Sequence, residues 1–90
     1  MGNTAQLRDQ AATPSSLLEA ATRFRQELNL PPGGYVVFFD DHPEGWIATL
    51  DRPDGWRPGC LAVGSDGMTY CAVGGGYYSG AHYWKAMNHA

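Results

Sequence analysis

The rhythm of apolar and polar positions changes once along this chain, at residues 31–34. Before that point Leu17, Ala21, Phe24 and Leu28 recur at alternating steps of four and three, the spacing that lines one face of an α-helix. Ser16 followed by Glu19 has the form of a capping box. Asn29 suits the C-terminal cap, and Pro31 with Pro32 ends the helical run. The pattern predicts a helix over 16–29. Residues 1–12 offer little to bury and read as a flexible N-terminal segment, which leaves 13–90 as a single α+β domain.

After "PPGG" the period becomes extended. "YVVFFD", residues 35–40, is β-branched and aromatic on both faces, as expected of a central strand covered on its two sides. "DHPEG" reads as a turn leading into "WIATLD", residues 46–51, and the two strands form an antiparallel hairpin. "RPDGWRPG", residues 52–59, is a loop with Trp56 at its centre. "CLAVG" and "MTYCAVG", joined by "SDG", form a second hairpin. With a four-residue loop, Gly64 to Gly67, this hairpin places Cys60 opposite Cys71. The last stretch, "SGAHYWKAMNHA", reads as a short helix capped by Ser79, with a fifth strand as the alternative. The expected fold is α+β: a four-stranded antiparallel β-meander, one main helix across one face, and a short C-terminal helix or strand.

Charge narrows the range of partners. Six Lys and Arg stand against nine Asp and Glu, a net charge of −3, and nonspecific nucleic-acid binding needs the opposite balance. The excess falls in residues 31–60, where Asp40, Asp41, Glu44, Asp51 and Asp54 face Arg52 and Arg57. Grouped on one side, these acids favour a cationic partner. No window approaches the roughly 18 apolar residues of a membrane span, and the start lacks the basic and apolar regions of a signal peptide. The expectation is a cytoplasmic protein with no membrane partner, whose cysteines stay reduced.

Three groupings could carry chemistry. Cys60 or Cys71 with His82 or His89 would make a thiol nucleophile and base, but both cysteines lie in strands beside small apolar residues, a setting for buried structural thiols. The same four side chains as a zinc set lack a close ligand pair, their spacings being ten, ten and six intervening residues. "DDHPEG", with Asp40, Asp41, His42 and Glu44, concentrates oxygen and imidazole groups at a turn, without the pattern of a calcium loop. No catalytic residue, metal ligand or cofactor is assigned on these grounds.

The remaining signal is "GGGYYSGAHYW", residues 74–84. Its glycines are no phosphate loop, because no Lys-Ser/Thr pair follows at the required spacing. Its rings have flat apolar faces and polar tips, a composition favoured at interfaces. Trp84, with the largest apolar area, is the expected anchor. Tyr77 and Tyr78, as neighbours in an extended segment, are expected to point to opposite sides. The chain thus reads as a small non-enzymatic binding protein, monomer or homodimer, that meets a protein or small-molecule partner. The expected contact residues are Tyr77, Tyr78, Trp56, His82, Tyr83, Asp40, Asp41, His42 and Glu44. The competing reading is a small hydrolase-type enzyme using His with Cys or a carboxylate.

Overall fold

The computed structural model describes residues 14–87, with side chains from Leu17 onward. The predicted N-terminal segment, the Ser16 side chain of the expected capping box and His89 lie outside the described residues. The helix, α1, spans Pro14–Leu28 among the described residues, so it already includes the two residues before the predicted start at Ser16. Its other end closes as a Schellman motif. Asn29 turns left-handed, with φ of 55°, while its N–H donates to the Gln26 carbonyl and the Leu30 N–H to the Arg25 carbonyl, at 3.3 and 2.9 Å.

Five strands follow: β1 (Tyr35–Phe39), β2 (His42–Ile47), β3 (Leu61–Gly64), β4 (Thr69–Val73) and β5 (Tyr83–Met87). All neighbouring pairs are antiparallel, in the order β2-β1-β3-β4-β5. The C-terminal stretch is therefore a strand, not the expected helix. Five paired residues on β4 outweigh what a short segment with Gly80 at its start gains as a helix.

Nor is the sheet a meander. β2 and β3 flank β1 and run parallel to one another, so residues 48–60 must cross over β1 to join them. Parallel strands need a connection of about a dozen residues or more, and the loop, with a 3₁₀ turn at Pro53–Gly55, supplies it.

The first hairpin also differs from expectation. Asp40 and Asp41, both with positive φ, make a two-residue turn of the type that twists with the strands. Strand pairing resumes at once, with Phe39 opposite His42 and Phe38 opposite Pro43. Glu44 is the extra residue of a bulge, because Val37 already pairs with Gly45. A proline and a bulge fit here because β2 is an edge, where a missing N–H costs no ladder bond. Those residues belong to β2, whereas Ala48 to Asp51, expected in the strand, belong to the crossover.

The second hairpin has a three-residue loop, with the Gly67 N–H donating to the Gly64 carbonyl at 3.0 Å and Gly67 at φ of 88°. This shifts the expected register by one. Cys71 pairs with Leu61, while the Cys60 carbonyl accepts from the Ala72 N–H and the Gly59 N–H donates to the Ala72 carbonyl, both at 2.9 Å. The two thiols thus face opposite sides of the sheet, and a disulfide between them is excluded.

The core has two layers, one on each side of β1. On the helix side Leu17 and Ala21 pack on Val36, Phe38 and Val63, with Phe24, Leu18, Trp46 and Leu61 around them. Leu28, expected on this face, is 55% exposed. Arg25 is buried instead, and its Nη2 donates to the Gly34 carbonyl at 2.8 Å. On the other side Val37, Cys60, Ala62, Ala72 and Ala81 form a second layer, edged by Tyr35, Phe39, Leu50, Trp56, Tyr70 and Trp84. Here the cover is loop, drawn from the crossover and from residues 74–82.

The entry to β1 depends on Gly34. Its φ is 72°, and a β-carbon there would meet the Trp46 ring and come within 2.6 Å of the Ile47 carbonyl oxygen. Gly33, next to it, has nothing within 4 Å. Gly34→Ala is expected to destabilise the protein by about 1–3 kcal/mol, and Gly33→Ala to stay within about 0.5 kcal/mol of the parent. Urea unfolding of the two variants checks this, and equal midpoints would contradict the seating of Trp46.

Candidate functional site

Residues 76–80 form a closed miniature of a hairpin. The Gly76 N–H donates to the Gly80 carbonyl at 3.2 Å and the Gly80 N–H to the Gly76 carbonyl at 2.9 Å. Tyr77, Tyr78 and Ser79 are the loop between them. Gly80 sits on the backbone of Asp54, the Ala81 N–H donates to the Trp56 carbonyl at 2.8 Å, and the His82 N–H donates to the Val73 carbonyl at 2.8 Å. The glycine-rich stretch is thus stitched to both the crossover and β4.

Because Tyr77 and Tyr78 lie in a turn, they do not diverge as an extended pair would. Their rings meet edge to face, with centroids 5.1 Å apart. Both are exposed, Tyr78 almost completely at 96%. Trp84, paired across from Ala72, is half-buried against the second core layer, as expected of an anchor.

Between this loop and the crossover lies a cleft of about 280 Å³, lined by Glu44, Gly55, Trp56, Arg57, Cys60 and Tyr77. Three of the sequence-predicted contact residues, Glu44, Trp56 and Tyr77, thus come together from β2, the crossover and the tyrosine loop. Gly45 lets the Trp56 ring approach β2, since a β-carbon there would stand 3.1 Å from it.

Arg57 was not singled out from the sequence, where it counts only toward the charge balance. In the fold its guanidinium carbon stands 4.0 Å from the centroid of the Phe39 ring and 5.5 Å from that of Tyr77. Nη1 makes a long hydrogen bond, 3.5 Å, to the Tyr77 hydroxyl. Nε is buried and has no hydrogen-bond partner. Among the described residues the single ion pair is Arg52 with Asp54, so no described carboxylate lies within 4.0 Å of the Arg57 guanidinium.

The other predicted residues are elsewhere. Asp40, Asp41 and His42 are exposed at the β1–β2 turn, and the two aspartates serve its backbone geometry. Tyr83 is 57% exposed on β5. His82 is exposed beside Gly74 and does not line the cleft. No group of three or more His, Cys, Asp and Glu that could hold a metal ion occurs among the described residues. Nor is any helix there long and apolar enough to cross a membrane.

Cys60 forms part of the cleft wall but is only 1% exposed. Burial pushes its thiol above the ordinary value of 9.0, with Arg57 pulling it down and Glu44 and Cys71 adding to the rise. Such a thiol is a poor nucleophile at neutral pH, and among the described residues no histidine lines the cleft. The sequence matches no protein-family model. No curated protein matches it. No solved structure matches the fold.

Two expectations follow. Trp84→Ala should cost about 2 kcal/mol of stability, less than a fully buried tryptophan, whereas Tyr78→Ala should change it by no more than about 0.5 kcal/mol; thermal unfolding of both variants checks this. The second concerns pH. Folded Cys60 holds its proton where the unfolded chain releases it, so its contribution is complete below the ordinary thiol value and lost as pH rises toward the folded one. Stability measured in urea from pH 8 to 10 should therefore fall less steeply in Cys60→Ala than in the parent.

Proposed function

We propose that this protein is a small non-enzymatic binding protein whose partner is received by the Trp56–Arg57–Tyr77 cleft and the exposed Tyr78 beside it. The observation that carries this reading is the closed Gly76–Gly80 loop, which holds Tyr77 against Arg57 and leaves Tyr78 uncovered. An ordered loop that displays large rings on a polar surface supplies contact area at low entropic cost. The partner is a protein segment or a small molecule. Net charge of −3 weighs against nucleic acid, and a cytoplasmic setting suits the two free cysteines. The hydrolase alternative gains no support from the described residues of the cleft, which include no histidine and a Cys60 thiol whose proton is held more tightly by burial.

The test is amide and indole shift mapping by NMR with a panel of small aromatic acids, amides and amines. Responses should gather at Glu44, Gly55, Trp56, Arg57 and Tyr77, and Tyr83 should stay silent. Tyr77→Ala should weaken the responding ligands about tenfold, or about 1.4 kcal/mol, with the unfolding midpoint little changed. Responses scattered over the surface, or centred on Tyr83 and β5, would place function elsewhere.

A further inference from the structure

The charge of the cleft narrows its ligand. Arg57 is the one cation lining it, and it is fixed between two rings with no carboxylate partner among the described residues. Stacking on Phe39 and Tyr77 satisfies the faces of the guanidinium, not its N–H edge. The long bond from Nη1 to Tyr77 uses one donor weakly, and a guanidinium carries five donors in a fork suited to a planar oxyanion. A cation held this way loses little side-chain entropy when a ligand arrives.

Two further features select among anions. The walls beside Arg57 are the flat rings of Trp56 and Tyr77, which favour a flat apolar body next to the charged group. Glu44 lines the same cleft, and its carboxylate disfavours a ligand carrying two negative charges more than one carrying a single charge. We infer that the cleft binds an aromatic monocarboxylate, the carboxylate received by the Arg57 guanidinium and the ring laid along Trp56 and Tyr77. This rests on the cleft being the binding site, as proposed above, and names the chemistry that the site takes. It also reverses the expectation drawn from charge counts, which favoured a cationic partner.

The experiment titrates the full chain with benzoate, benzamide, benzylammonium and phenyl phosphate, each to about 10 mM, a range that registers millimolar affinities. The signals followed are the Arg57 Nε–H, whose burial slows its exchange, and the Trp56 indole N–H. Benzoate should shift both and bind at least about tenfold more tightly than the amide, the amine or the phosphate. Arg57→Lys keeps the charge and loses the fork, and should weaken benzoate about tenfold. Glu44→Gln should narrow the gap between phenyl phosphate and benzoate. Equal binding of benzamide or benzylammonium at the cleft would overturn the inference and leave the binding reading standing. Benzoate binding that ignores Arg57→Lys would overturn it as well, and silence of all four probes would overturn it and leave a protein segment as the partner of the cleft.

Discussion

The constraint on which the structure turns is that β1 is apolar on both faces. Val36 and Phe38 point one way, Val37 the other, and all three are buried. One helix can cover one side of a sheet this narrow. The other side must be covered by chain without regular structure, whose backbone polar groups then need partners. Residues 48–60 meet this need by crossing the second face, and residues 74–82 meet it by bonding to Trp56, Val73 and to each other. The small side chains of Ala62, Ala72 and Ala81 in that layer leave room for a loop to lie close. The cleft is the seam between these two covering segments.

How much of this was legible in the sequence follows from which interactions are local. The helix, its Asn29 cap and the two-sided character of residues 35–40 could be read because periodicity and capping are properties of neighbouring residues. The β1–β2 turn was misplaced by a few residues, since Pro43 and Gly45 look like breakers until β2 is known to be an edge and Trp56 is known to lie on Gly45. Strand order was lost for a similar reason. Adjacency in sequence favours a meander, and with residues 46–51 read as strand the connecting loop is only residues 52–59; the thirteen residues from Ala48 to Cys60, too many for an ordinary hairpin loop, emerge only once β2 is seen to end at Ile47.

The site shows the same division. Tyr77 and Trp56 stand out by residue type and Glu44 by the density of "DDHPEG", and the fold brings these three together. Asp40 and Asp41 stand out by the same density and form the β1–β2 turn, while His42 opens β2 away from the cleft. Arg57 could not be recognised, because its distinction is to be alone. Nothing within "GWRPG" says that two rings lie over its guanidinium and that no acid among the described residues pairs with it. The predicted cysteine pairing failed by one residue of loop length, which in a strand exchanges one face for the other.

A net negative protein that receives an anion must do so by contact rather than by attraction at a distance. Exposed charges separated by more than about 8–10 Å are largely screened at physiological salt, so the net charge of the surface says little about what a single cation such as Arg57 meets at contact distance. Within the cleft the balance is local, because Arg57 and Glu44 are the charged side chains that line it. On the reading proposed above, Arg57 attracts the ligand and Glu44 limits the charge that can enter. The rings of Phe39 and Tyr77 occupy the faces of the guanidinium, so selectivity on that reading comes from contact with its N–H edge more than from the sign of the surface.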